Sequence, residues 1–138
     1  MKLSYNLMPP SFQNIQPIAL ASERAGLHSV AVADSPLISR ELFVSCAECL
    51  RETKSLNVMT AVTNPLTRHP SVAASAIATL CEMAPGRILI GIATGDSAAW
   101  GAGLRPAKVS VLSDYIIALK QLLRGCLLYT SPSPRDRG

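Results

Sequence analysis

The stretch NVMTAVTNPLTRHPSVAASAIATLCEMAPGRILIGI, Asn57 to Ile92, decides the fold class. It opens on one apolar run, NVMTAV, and closes on another, RILIGI. Between them, Pro70 stands where the first helical residue tolerates a missing N–H. Val72, Ala76 and Leu80 then form one apolar row, and Ala73, Ile77 and Cys81 its neighbour. The many alanines permit close approach to a sheet, and Gly86 supplies a helix stop. A strand, a helix and a second strand, both strands apolar enough for burial on two faces, predict a parallel βαβ unit.

The same alternation extends outward in both directions. Upstream, KLSYNL reads as a strand, and NIQPIALASERAG as a helix with Pro17 in its first turn. Gly26 followed by Leu27 fits a left-handed C-cap with its apolar contact. HSVAVA is the next strand, broken by Asp34, Ser35 and Pro36. The following helix runs from about Glu41 to Lys54, with Leu42, Cys46 and Leu50 on one stripe and Phe43 and Ala47 beside it. Downstream of RILIGI, ATGDSAAWGAGLRPAK leads to a last helix, Val109 to Leu123, with Leu112, Ile116, Leu119 and Leu123 as its stripe. Four strand–helix pairs at a repeat of about thirty residues predict an α/β fold, either a doubly wound sheet or a (β/α) barrel.

Composition narrows the function classes. The 138 residues are 49% hydrophobic with a mean hydropathy of +0.28, which excludes a disordered polymer. The net charge of +4 is dispersed, with no Lys/Arg run and no interleaved aromatic platform, so nucleic acid is not an expected partner. No apolar run approaches the roughly 18 to 20 residues that span a bilayer. MKLSYNLMPP lacks the apolar core of a secretory signal, so no membrane partner and a cytoplasmic location are expected. The pair Cys46 and Cys49, CAEC, falls inside an amphipathic run rather than at a helix start, and reads as two buried thiols. A lone C-x-x-C falls short of the four ligands of a structural zinc site, and no metal is expected.

In either α/β architecture, ligands meet the C-terminal ends of the parallel strands. That rule gathers Pro9 and Pro10, then Asp34 and Ser35, then Thr63 to His69, then Thr94 to Ser97. The helix-to-strand turns AGLHS, KSLN and APGR read as caps. Each site residue has a second reading: Asp34 as the start of a turn, His69 as a helix cap rather than a base. Arg68 reads either as a solvated side chain or as a phosphate clamp. Gly91 and Gly95 are too few for a nucleotide-cradling loop, and no Walker lysine is present. Met8 and Met59 are assigned to the core.

TAVTNPLTRHPSVAASAIATLCEMAPGRILIGIATGDSA, Thr60 to Ala98, resembles the luciferase-like monooxygenase superfamily, in its methylenetetrahydromethanopterin reductase-like branch. ALASERAGLHSVAVADS agrees with the first helix and second strand of that family. The resemblance covers about Met1 to Gly125. It implies four βα units, the N-terminal half of a TIM (β/α)8 barrel, binding FMN or a 5-deazaflavin coenzyme at the C-terminal mouth. It implies a flavin-dependent monooxygenase that reduces molecular oxygen, or a deazaflavin-dependent reductase that transfers hydride, acting on a small-molecule substrate. The reductases carry a bulge with a cis non-proline peptide at the end of the third strand, and Ala61–Val62 matches that position. Cofactor contacts fall on Asp34, Ala61, Val62, Thr63, Asn64, Gly95, Asp96 and Ser97. Some deazaflavin enzymes have His directly after the Asp of strand two; Ser35 stands there in this chain. Asp96 is therefore the candidate catalytic acid or substrate-facing carboxylate. A non-catalytic half-barrel binding module is the alternative of another class.

CLLYTSPSPRDRG, Cys126 to Gly138, departs from everything before it. Back-translated, it resembles a transposase adapter used in sequencing-library preparation, read in frame, and residues 126–138 are read as adapter-derived. A complete barrel has eight βα units over about 250 residues. The expectation is an inactive partial barrel that binds flavin weakly and self-associates, and a full-length protein that is a homo-oligomer.

Overall fold

A computed structural model describes residues 1–125; the expectation for 126–138 lies outside the described residues. The chain forms β1 (Ser4–Leu7), a 3-10 turn (Phe12–Asn14), α1 (Ile15–Arg24), β2 (Ser29–Val32), α2 (Leu42–Glu52) and β3 (Asn57–Thr63). It continues with α3 (Pro70–Met83), β4 (Ile88–Ile92), a short α4 (Ser97–Gly101) and α5 (Val109–Leu123). The strands make one sheet in the order β1-β2-β3-β4, and every pair is parallel. Strand order never reverses, so the doubly wound alternative is ruled out: that fold needs a switch point and helices on both faces.

Register explains the layering. Leu7, Val32, Thr60 and Ile90 stand in one row across the sheet, and Val30, Val58 and Ile88 in another. These rows meet Ile15 and Ala19 of α1, Leu42, Phe43, Cys46, Cys49 and Leu50 of α2, and Ala73, Ile77 and Leu80 of α3 in one core. The opposite face carries Asn6, Ala31, Met59 and Leu89, and no helix of the core packs there. Helices on one face of an unreversed parallel sheet are the arrangement of a barrel wall.

Local chemistry sets the element ends. Gly26 has φ 70°; its N–H donates to the Glu23 carbonyl and that of Leu27 to the Ser22 carbonyl, closing α1 in a Schellman motif. The Glu23 carboxylate reaches across to accept from the backbone N–H groups of Lys54, Ser55 and Leu56, tying α1 to the turn before β3. Glu41 caps α2 by accepting from the Val44 N–H at 2.8 Å. Pro70 is the first residue of α3, and the His69 ring caps that helix by accepting from the Ser71 N–H.

Several packing expectations are corrected. Met8 is 49% exposed rather than core, and Met59 is half-buried, because both sit on or beside the face without helices. On α3 the buried set is Ala73, Ala74, Ile77 and Leu80, while Val72 and Cys81 face out. On α5, which packs on α3, it is Tyr115, Ala118 and Leu119, and Leu123 is exposed. Cys46 and Cys49 are buried free thiols, as read. Burial pushes the Cys46 thiol well up and that of Cys49 up to about 12.

Candidate functional site at the strand C-terminal ends

The ladder between β3 and β4 is broken between Thr60 and Thr63, where the register shifts. The Ala61–Val62 peptide in that break is cis. Across it, the Thr60 hydroxyl donates to the Gly91 carbonyl at 2.8 Å and accepts from the Gly91 N–H at 2.9 Å, meeting the groups the bulge leaves unpaired. A Cβ at residue 91 would stand 2.4 Å from the Thr60 carbonyl oxygen, so only glycine allows this approach. Pairing resumes at Ala93, whose N–H donates to the Thr63 carbonyl. Ala61 and Val62 are thereby turned out of the core, and Val62 is 43% exposed.

Beyond the bulge the chain makes an Asx turn. Asn64 is buried, and its Oδ1 accepts from the N–H groups of Leu66 and Thr67 and from the Thr67 hydroxyl. Its Nδ2 is buried without a partner. After β4, Gly95 takes φ 90° and lies against the Asn64 side chain, and Ser97 begins α4. Ser97 and Ser35 share a hydroxyl–hydroxyl hydrogen bond, which joins the end of β2 to the start of α4.

These segments enclose a cleft of about 280 Å³ lined by Asn6, Met8 and Ala33, by Asp34, Ser35, Ala61, Val62 and Asn64, and by Ala93 to Ala98. Asp34, Ala61, Val62, Asn64, Gly95, Asp96 and Ser97, all singled out in the sequence, meet there. Thr63 does not line it: its hydroxyl turns away to donate to Asp34 at 2.9 Å. Sequence reasoning missed Asn6, Met8, Ala33, Ala93, Thr94 and Ala98. The strand-end rule points to Thr94, whereas Asn6 and Met8 are on β1 or just past it, where side-chain direction depends on register.

The charges in this region differ in kind. The Asp34 side chain is 1% exposed and is held by Arg68 through both guanidinium nitrogens, at 2.6 and 3.1 Å. Arg68 also donates to Glu41 at 2.8 Å, and its guanidinium lies over the Phe43 ring at 5.1 Å. Burial alone would lower the Arg68 pKa; the hydrogen bonds and charge of Asp34, then those of Glu41, outweigh it and raise the value. Arg68 is therefore neither a solvated side chain nor a phosphate clamp, and Asp34 borders the cleft as a neutralised anion. Asp96 is exposed on the cleft, and its carboxylate makes no capping bond to α4. His69 serves as a cap and does not line the cleft.

An unreversed parallel α/β sheet with helices on one face and a cleft at its strand ends defines a protein of the (β/α) barrel type. The chain belongs to the luciferase-like monooxygenase family, which it matches over residues 2–133. It is 31% identical over 109 residues to the 5,10-methylenetetrahydromethanopterin reductase of Methanolobus tindarius, covering 78% of this chain and 33% of that one. The structure of the coenzyme F420-dependent tetrahydromethanopterin reductase of Methanopyrus kandleri superposes with a TM-score of 0.76 at 24% identity, over 88% of this chain and 39% of that one. A type II Baeyer–Villiger monooxygenase of Pseudomonas putida, solved with FMN, superposes with a TM-score of 0.77 at 16% identity, over 96% and 42%. The chain thus spans about a third of the length of the curated relative.

Proposed function

We propose that the cleft is part of the coenzyme site of a cytoplasmic oxidoreductase, and that the coenzyme is a 5-deazaflavin used for hydride transfer to or from a small molecule. The observation that carries this reading is the convergence of Ala61–Asn64 with Gly95–Ser97 on one cleft, from segments more than thirty residues apart in sequence. The lining fits a flat heteroaromatic ring. Ala33, Ala61, Val62 and Ala93 offer a shallow apolar wall, and Asn6, Thr94, Asp96 and Ser97 offer polar groups along its rim. The volume lies at the low end of the roughly 300–1,000 Å³ of small-molecule sites, which suits one side of a larger site. The resemblance to reductases at higher identity favours a deazaflavin; the FMN-bound monooxygenase of equal structural similarity supports an FMN-dependent monooxygenase as the second reading.

Bound there, such a coenzyme would supply the redox chemistry through its ring. The protein's own contribution is positional. Val62 and Ala61 would back the ring, with the bulge keeping their side chains out of the core. The buried Asn64 side chain sets the loop shape through its turn. Asp96, the carboxylate on the cleft without a charged partner among the printed ion pairs, would face the substrate and hold or pass a proton.

The test is a fluorescence titration of the 138-residue chain with a 5-deazaflavin coenzyme and, separately, with FMN. Weak, sub-millimolar binding that favours the deazaflavin is expected, without turnover. Val62→Asp, at an exposed position, should weaken it about tenfold or more, equal to about 1.4 kcal/mol. Binding indifferent to Val62→Asp places the coenzyme elsewhere; a preference for FMN favours the second reading. A tight stoichiometric complex contradicts the partial-site reading.

A further inference from the structure

We infer that the 138-residue chain, by itself, pairs with a second copy of itself edge to edge, β4 of each copy against β1 of the other, to close an eight-stranded parallel barrel. The inference is independent of which coenzyme the cleft takes. It starts from the sheet order, which leaves β1 and β4 each with one pairing side open among the described residues. An unpaired edge is a template for another strand, and proteins normally blunt it with charge, proline or a bulge that twists it away. Neither edge strand is blunted with charge or proline. β4 is ILIGI, without charge or proline, and β1 is SYNL, likewise. The β3–β4 bulge lies on the inner side of β4 and leaves the outer side regular.

The polarity of the two edges selects the partner. All four strands run the same way, so a two-fold axis parallel to the strands brings β4 beside the partner's β1 in parallel, and the same pairing recurs on the opposite side. A pairing of unlike edges closes into a ring or runs on as a fibre, depending on the rotation per copy. Eight tilted parallel strands are the number that closes with its interior filled by side chains. One chain supplies half of them, with all core helices on the outside.

The uncovered face has the composition of such an interior. It carries small residues, Ser29 and Ala31, between the larger Met59 and Leu89, and Leu89 is 39% exposed. At the β1 edge Leu3 and Tyr5 are 54% and 46% exposed. Closure covers both sets at once, and the apolar area gained is the driving term. It would also place the clefts of the two copies on one shared mouth, each facing the β1 and β4 ends of its partner. In a longer chain the same edges are open to later segments of that chain. For the 138-residue chain alone, another copy is the source of four parallel strands.

Sedimentation velocity of the 138-residue chain across a range of concentrations is the first measurement, with a dimer expected as the main species. Edge identity is read by mixing two variants, Tyr5→Cys and Leu89→Cys, each with Cys81→Ser and Cys126→Ser, and adding a short bismaleimide. Hetero-crosslinked dimer should exceed both homo-crosslinked products. A second variant, Leu89→Lys, should shift the dimer toward monomer at least tenfold while the far-ultraviolet circular dichroism stays unchanged. A monomer at all concentrations, as would follow if residues 126–138 covered an edge, overturns the inference. So does an open-ended polymer, or a predominance of Leu89-to-Leu89 crosslinks, which would mean like edges pairing.

Discussion

Asp34 is an anion enclosed by protein, and its neighbours decide what it does. A sequence shows an aspartate at a strand end and, thirty-four positions on, an arginine in a loop; both residue types serve ligands elsewhere. Here the two close on each other, with Thr63 taking the remaining acceptor direction. Removing one partner of a buried pair strands the other charge, at a cost of about 3–5 kcal/mol. Arg68→Met should therefore lower stability by about that amount in urea unfolding, and adding Asp34→Asn should recover part of it. A cost under about 1 kcal/mol for Arg68→Met would mean that the pair behaves as a surface bridge. Asp96 takes the opposite role from a similar sequence context, a strand-end carboxylate left facing the cleft.

Helices and strands were legible from spacing because periodicity records which positions need burial. The limits of α5 agree with the stretch read from sequence, and α3 begins at the proline chosen for its first turn. The phase within a helix was less legible. α3 carries apolar residues on two adjoining rows, and only its position over β4 and beneath α5 turns Ala73, Ile77 and Leu80 inward and Val72 outward. The joint between α1 and the turn before β3 was not legible at all, since a glutamate near a helix end reads as solvated. Its pKa is held down to about 2, chiefly by the Ser55 N–H, with Leu56, the Ser55 hydroxyl and Lys54 adding to it and desolvation opposing. A folded value below the unfolded one gives stability that is full above the ordinary carboxylate range and is lost as pH falls toward about 2. The stability gap between the wild-type chain and Glu23→Gln should accordingly shrink as pH is lowered through that window. A gap independent of pH would mean that the charge contributes nothing to the joint.

At the scale of the whole molecule, the layer of helices separates two classes of thiol. Cys46 and Cys49 lie between α2 and the sheet, and Cys81 lies on the outer side of α3. In a Cys126→Ser background, one equivalent should react rapidly with a thiol reagent in native buffer. The other two should follow only on unfolding, since the thiolate is the reactive form and burial suppresses it. Rapid reaction of all three would show that α2 opens readily.

What the sequence determined by itself was the alternation of strands and helices, the end of the sheet at which ligands gather, and the family. Each depends on local periodicity, turn chemistry or an ordered string of residues. The tertiary structure alone decided that strand order never reverses, that Asp34 is consumed by Arg68 while Asp96 is not, and that Asn6 and Met8 join the cleft. Those outcomes depend on contacts between segments distant in the chain, where register and side-chain direction decide which groups meet.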